Sequence, residues 1–311
     1  MSVSVYRDGG IVIEFNARRI LVDPTSLPRE KPDVIFISHA HSDHYRLRPL
    51  RVLSRVPKVM SRATRELIDP RGRLDNVIPV EPGSTVEVAG TRLEVFDAGH
   101  VLGGLQLMID AKERIIYTGD FNIEQRIILR PAPILKADIL IIDATYGHPK
   151  YVFPPRSEIY RQVLRLAKEA TEKRGGLHLA SRPLGTGQEL TALLSLAAKL
   201  EPFVEKSIGD HNRLYEKYGE HLGNYIICPS MPPERSVAVI SLSKHRASSA
   251  AVQCTGWAVG YGIPLSSHAG FSDLIRYVTA SGAQTVYAFS AHARSFSSIL
   301  SREIGVAASP I

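Results

Sequence analysis

The chain has 311 residues, a hydrophobic fraction of 44% and a formal net charge of +7, ordinary for a soluble globular protein of one large or two modest domains. No apolar run approaches the roughly 18 to 20 residues of a membrane span, and Met1-Ser2-Val3 opens a strand pattern instead of a signal peptide, so a cytoplasmic protein is expected. The positive charge favours an acidic partner such as nucleic acid. Cys228 and Cys254, the only cysteines, sit in apolar strand-like surroundings, which argues for buried free thiols and against a disulfide framework or a cysteine metal site.

Residues 3–6, 11–15 and 20–22 read as an opening meander of short strands. The apolar run Val34-Ile35-Phe36-Ile37-Ser38 then leads directly into His39-Ala40-His41-Ser42-Asp43-His44. After it come Arg46, Arg48, Arg51, Arg55, Lys58, Arg62 and Arg65, which read equally as a phosphate track or as a solvated helical face. Residues 86–88 and 92–96 flank Ala89-Gly90 as a hairpin, and 105–109, 115–117 and 139–142 are further strands. Ligand-type residues fall at strand ends, where loops can aim them: Asp23, His39, His100 and Asp120.

The character changes near Gly147, where Pro149, Pro154 and Pro155 precede a helical pattern over 157–173. Segments 177–180, 188–200, 225–228, 237–240 and 250–254 then alternate between strand and helix, as in a small α/β insert. A helix over 272–281, a strand over 285–289 and a helix over 296–304 close the chain. The expected domains are 1–147, an insert at 148–260, and 261–311 returning to the first.

Neutral imidazoles and carboxylates suit zinc, and a loop with three histidines and an aspartate in six residues can serve two ions. A two-metal hydrolytic site is therefore expected. The spacing His39/His41/Asp43/His44 resembles the HxHxDH signature of the metallo-β-lactamase fold. Asp23 in Leu-Val-Asp-Pro, His100 in Asp-Ala-Gly-His and Asp120 in Tyr-Thr-Gly-Asp follow that family's motifs in order. Ile-Ile-Asp-Ala-Thr-Tyr-Gly around Asp143 and Leu-Gly-Thr-Gly-Gln-Glu-Leu at 184–190 resemble segments of its β-CASP nucleases, as do Ser-Ser-His-Ala-Gly at His268 and Ser-Ala-His-Ala-Arg at His292.

That resemblance implies an α/β fold, an αββα metallo-β-lactamase sandwich with a small inserted α/β cap, holding two Zn2+ per chain. By it, His39, His41 and His100 hold one zinc, Asp43, His44 and His292 the second, and Asp120 bridges them. Asp23 orients a ligand histidine, and Asp143 supports His268, which protonates the leaving oxygen. The catalytic set is thus Asp43, Asp143 and His268. Arg182 is a candidate backbone contact; Gly185 and Gly187 either offer N–H groups to phosphate or simply form a helix-entry turn. Trp257 is expected to pack in the core. The implied substrate is single-stranded nucleic acid, RNA favoured over DNA because of His292. The alternatives are a ligase-associated-type DNA exonuclease and a small-molecule hydrolase, and oligomeric state is left open.

Overall fold

A computed structural model describes residues 3–311, so Met1 and Ser2 lie outside the described residues. β1 (Ser4–Arg7), β2 (Ile11–Phe15) and β3 (Arg18–Val22) form an antiparallel meander, to which β4 (Val34–Phe36), β5 (Lys58–Ser61) and β6 (Val77–Val80) add in parallel. Successive strand side chains face opposite ways, and here both faces are apolar. Ile11, Ile13, Ile20, Val22, Val34 and Phe36 enter one core; Val12, Leu21, Ile35 and Ile37 enter another beside Leu50 and Ile68. Those last two come from α1 (Leu47–Val52) and α2 (Arg62–Ile68), which cover the outer face.

The second sheet repeats this plan. β7 (Thr85–Val88), β8 (Thr91–Asp97), β9 (Leu105–Asp110) and β10 (Arg114–Tyr117) run antiparallel, and β11 (Ile139–Asp143) joins β10 in parallel. Leu93, Val95, Leu107, Ile115, Tyr117 and Ile141 share the core that holds Ile13 and Ile20, so the two sheets pack face to face.

The chain then builds a separate parallel sheet. In order come α3 (Arg156–Glu172), β12 (Leu177–Ser181), α4 (Thr186–Ala192), β13 (Phe203–Glu205), α5 (Lys206–Lys217), β14 (Ile226–Cys228), β15 (Val237–Ser241) and β16 (Ala251–Gln253). The strands align as β14-β13-β15-β12-β16, every pair parallel. The return is through α6 (Phe271–Ser281), β17 (Thr285–Phe289), α7 (Ala293–Ile299) and β18 (Ala307–Pro310), with β17 beside β11 and β18 beside β17. Tyr277 of α6 gives its hydroxyl to Gln106 of β9 at 2.6 Å, and α7 packs on β17 and β18. Helix, sheet, sheet and helix are thus layered in the αββα order.

Unit 1 comprises the chain up to Ile123, Pro131–His148 and Asp273–Ile311; unit 2 comprises Glu124–Arg130 and Pro149–Ser272. The return falls at Asp273 instead of 261 because Ile263 and Leu265 are buried in the core of the parallel sheet, and Cys254 bridges to Ile263. Glu124–Arg130 belongs to unit 2 for an electrostatic reason. The buried Glu189 carboxylate accepts Arg126 Nη2 at 2.7 Å and Arg156 Nε at 2.9 Å, while Arg156 Nη1 reaches Glu124 at 3.0 Å. Burial alone would raise the Glu189 pKa, but the two guanidiniums hold it at about 2.

Three expectations change. Lys58 is no phosphate contact: it is fully buried, and its Nζ donates to the carbonyls of Leu53, Ser54, Val56 and Asp75 at 2.8–3.2 Å. Trp257 is 41% exposed, edge-on to Tyr151 at 5.3 Å, because Ala258 of the same single turn takes the core position. Cys254 is buried and free as expected, but Cys228 is only half-buried. Among the described residues no helix is long and apolar enough to cross a membrane.

Candidate metal centre

The carboxyl ends of the parallel strands of unit 1 deliver the candidate ligands, the usual location of sites in such sheets. Asp23 follows β3 directly, His39 lies just past β4, Asp120 just past β10, Asp143 ends β11, and His292 lies just past β17. His100 stands in the β8–β9 turn. Gly119 lets two of these loops close together: its φ is +56°, and a Cβ there would lie 2.9 Å from Ser38 Cβ and 3.1 Å from Leu105 O.

His39, His41, His100 and Asp120 are all buried, and their ligand atoms lie within 4.8 Å of one another. His41 Nδ1 is 3.1 Å from His39 Nε2 and 3.0 Å from His100 Nε2. Asp120 Oδ2 is 3.4 Å from His39 Nε2 and 3.6 Å from His100 Nε2. A tetrahedral zinc with bonds of about 2.0–2.1 Å spaces its ligand atoms roughly 3.3 Å apart, so this donor set fits such an ion in chemistry and in size. The same Asp120 Oδ2 is 3.3 Å from His44 Nε2, so one carboxylate oxygen faces His39, His100 and His44 together.

Asp23 fixes His44. Its carboxylate accepts Ser38 N–H at 2.7 Å, Ser38 Oγ at 2.6 Å, Tyr117 OH at 2.7 Å and His44 Nδ1 at 2.8 Å. With Nδ1 spent on Asp23, His44 turns Nε2 toward Asp120, the usual way a carboxylate fixes a histidine tautomer. Asp23 itself has φ +49°, a left-handed conformation that aspartate tolerates better than most residues. Burial would lower the His44 pKa, yet the Asp120 charge and hydrogen bonds to Asp120 and Asp23 hold it well above the ordinary histidine value. Burial, then the Asp23 charge, raises Tyr117 well above the usual phenol range, keeping it a neutral donor. Ser38 and Tyr117 escaped the sequence reading; their positions, beside His39 and three residues before Asp120, are the available signal.

The remaining candidates stand as follows. Asp43 is exposed on the same loop as His39 and His44. Asp143 Oδ1 accepts Thr145 N–H at 2.9 Å and Thr145 Oγ1 at 2.8 Å, closing a turn whose Thr145 carbonyl takes His292 Nδ1 at 2.8 Å. His268 belongs to unit 2, is 8% exposed, and gives its backbone N–H to Ser266 Oγ at 3.0 Å. Arg182 is exposed. Gly185 and Gly187 do not offer their amides to phosphate: Gly185 N–H goes to Gln188 Oε1 at 2.7 Å and Gly187 N–H to Arg182 O at 3.1 Å. They build the entry to α4, where φ of +102° at Gly185 calls for glycine.

Residues 10–176 match the family model described as the beta-lactamase superfamily domain. A protein of Opitutus terrae named probable DNA ligase is 30% identical over 301 residues, which cover 88% of this chain and 28% of that protein. A protein of Saccharolobus solfataricus named RNase aCSPSF2 is 25% identical over 218 residues, 60% of this chain and 44% of its own length. The chain therefore spans less than half of either relative. A crystal structure of a protein of unknown function from Enterococcus faecalis V583 superposes with a TM-score of 0.63 at 14% identity, covering 92% of this chain and 93% of that one. That likeness concerns the fold alone.

Proposed function

The chain belongs to the β-lactamase superfamily, and from that membership we propose that it is a metal-dependent nuclease of the β-CASP type, hydrolysing phosphodiester bonds in single-stranded nucleic acid, RNA first. The observation that carries this reading is the position of Asp120 Oδ2, 3.3–3.6 Å from nitrogens of His39, His44 and His100. A single oxygen so placed suits a bridge between two ions, and the donors are those zinc prefers. Zinc bound there would lower the pKa of water and neutralise charge building on a phosphodiester.

Within this reading His39, His41, His100 and Asp120 hold one ion. His44, Asp43 and His292 hold the other, and Asp23 orients His44. The sequence resemblance supports proton delivery by His268 with the help of Asp143. RNA is supported by the relative named RNase aCSPSF2 and by His292. DNA is the second reading, supported by the match to the protein named probable DNA ligase, which extends over 88% of this chain. A cytoplasmic setting accords with both.

Purified protein is to be incubated with end-labelled RNA and DNA of one sequence, with and without chelator, beside Asp120→Ala and His268→Ala. Cleavage of RNA that chelator and Asp120→Ala both abolish is the expected result, and the product ladder reports polarity. Cleavage of DNA alone selects the second reading. The nuclease reading fails if zinc-loaded protein cuts neither polymer yet opens a lactone or thioester; full activity in His268→Ala removes only its role as proton donor.

A further inference from the structure

The loops that carry Asp23 and His44 continue into a cavity of about 420 Å³ walled by Thr25, Ser26, Leu27, Arg46, Arg48 and Pro49. Its size falls within the roughly 300–1,000 Å³ of small-ligand sites. Backbone bonds hold both walls: Thr25 N–H and Ser26 N–H donate to Gly9 O at 2.8 and 2.9 Å, and Arg46 N–H donates to Pro24 O at 2.9 Å. Thr25 lies two residues beyond Asp23 and Arg46 two beyond His44, so both walls of the cavity are tethered along the chain to residues of the candidate metal centre within unit 1.

Its chemistry is divided. Leu27, 41% exposed, offers apolar surface above the buried Pro49. Thr25 and Ser26 offer hydroxyls, and Arg46 and Arg48 offer guanidiniums. Among the described residues neither arginine has a carboxylate partner, whereas the nearby Arg62 is paired with Glu81 at 2.9 Å. Arg46 Nη1 instead donates to its neighbour's carbonyl, Tyr45 O, at 3.0 Å. Two uncompensated cations beside an apolar side chain and a pair of hydroxyls match a nucleotide unit: phosphate on the arginines, sugar at the hydroxyls, base against Leu27.

We propose that this cavity is a nucleotide subsite that holds one unit of the substrate strand beside the metal centre, with Arg46 and Arg48 as its phosphate ligands. The proposal rests on the nuclease reading above for the identity of the strand. It also resolves the arginine-rich segment after the metal loop. Lys58 is spent internally and Arg62 is paired, which interrupts the track, and of its arginines Arg46 and Arg48 are the ones that line this cavity.

The test is equilibrium binding of cleavage-resistant, phosphorothioate-linked single strands of about twelve nucleotides, in ribose and deoxyribose forms, to the full chain across a salt series. Arg46→Ala with Arg48→Ala is expected to weaken binding about a hundredfold, tenfold per arginine. It should also reduce the slope of log affinity against log salt by about 0.7 for each charge removed. Arg46→Lys with Arg48→Lys should restore the slope while leaving affinity below wild type, since lysine keeps the charge but not the planar fork. Arg55→Ala with Arg71→Ala removes two exposed charges elsewhere and should change affinity by less than about threefold. The subsite is overturned if the two alanine pairs act equally, or if the first leaves the slope unchanged. Failure of the two ideas is distinguishable. Cleavage of an ordinary strand with an unchanged slope sinks the subsite alone; the expected slope change without any cleavage sinks the nuclease reading alone.

Discussion

Asp23 gathers two donors from Ser38, one from Tyr117 and one from His44 on a single carboxylate, all at 2.6–2.8 Å. Removing it strands buried polar groups and frees the His44 ring to rotate. Asp23→Ala is therefore expected to lower zinc affinity by about 10–100-fold, the usual effect of losing a carboxylate behind a ligand histidine. Competition against a chromophoric chelator measures this, and an unchanged affinity would mean that His44 is not a ligand. Four of the strand-end residues, Asp23, His39, His100 and Asp120, stand out in the sequence because short apolar runs stop just before them. Ser38 and Tyr117 do not, since a serine or tyrosine at a strand end looks like ordinary β-sheet until the chain is folded.

At the scale of elements, Lys58 shows where periodicity fails as a guide. It lies in β5, and its ammonium ties together carbonyls of Leu53, Ser54, Val56 and Asp75, the stretches that lead out of α1 and into β6. Lys58→Met keeps the length of the stem but leaves those carbonyls without their shared donor. A loss of about 3 kcal/mol is expected from such orphaned groups, read as a lower urea midpoint at unchanged slope; a loss under about 0.5 kcal/mol, the range of surface changes, would show the cage to be dispensable. The β5 and β6 strands and the α5 helix escaped the sequence reading for a related reason. The two strands are only four residues each, β5 beginning with a lysine and β6 holding Pro79, and α5 is mostly polar, so pairing and packing with neighbours and not local pattern decide them. Strands β2 and β17, by contrast, occupy the residues expected, because each alternates or runs apolar between clear turn signals.

For the whole molecule, Glu189 of unit 2 makes one contribution to stability that depends on acid. The Glu189 pKa of about 2 lies below its ordinary value of 4.5, so the folded state binds fewer protons than the unfolded one between these values. Its contribution is complete above about pH 4.5 and is lost as pH falls toward and through about 2, amounting to on the order of 3 kcal/mol. Glu189→Gln should be less stable than wild type at pH 7, because Arg126 and Arg156 remain buried without their anion, and should lose less on acidification. Thermal melts between pH 2 and 7 measure both limbs; parallel wild-type and variant curves would remove Glu189 from the account. Glu189 was visible in the sequence only as part of the Leu-Gly-Thr-Gly-Gln-Glu-Leu resemblance. The structure gives that segment a framework task, joining Glu124–Arg130 and α3 to α4.

The pairing of β11 with β17 sets a timetable for synthesis. Ile139–Asp143 emerges from the ribosome about 140 residues ahead of Thr285–Phe289, an interval on the order of ten seconds. Throughout it, the run Ile-Leu-Ile-Ile presents an open parallel edge, the kind of surface that recruits stray strands. The nascent protein thus passes through an obligatory sticky stage, and its yield in a cell depends on how quickly the final strands arrive or on what shields that edge until they do.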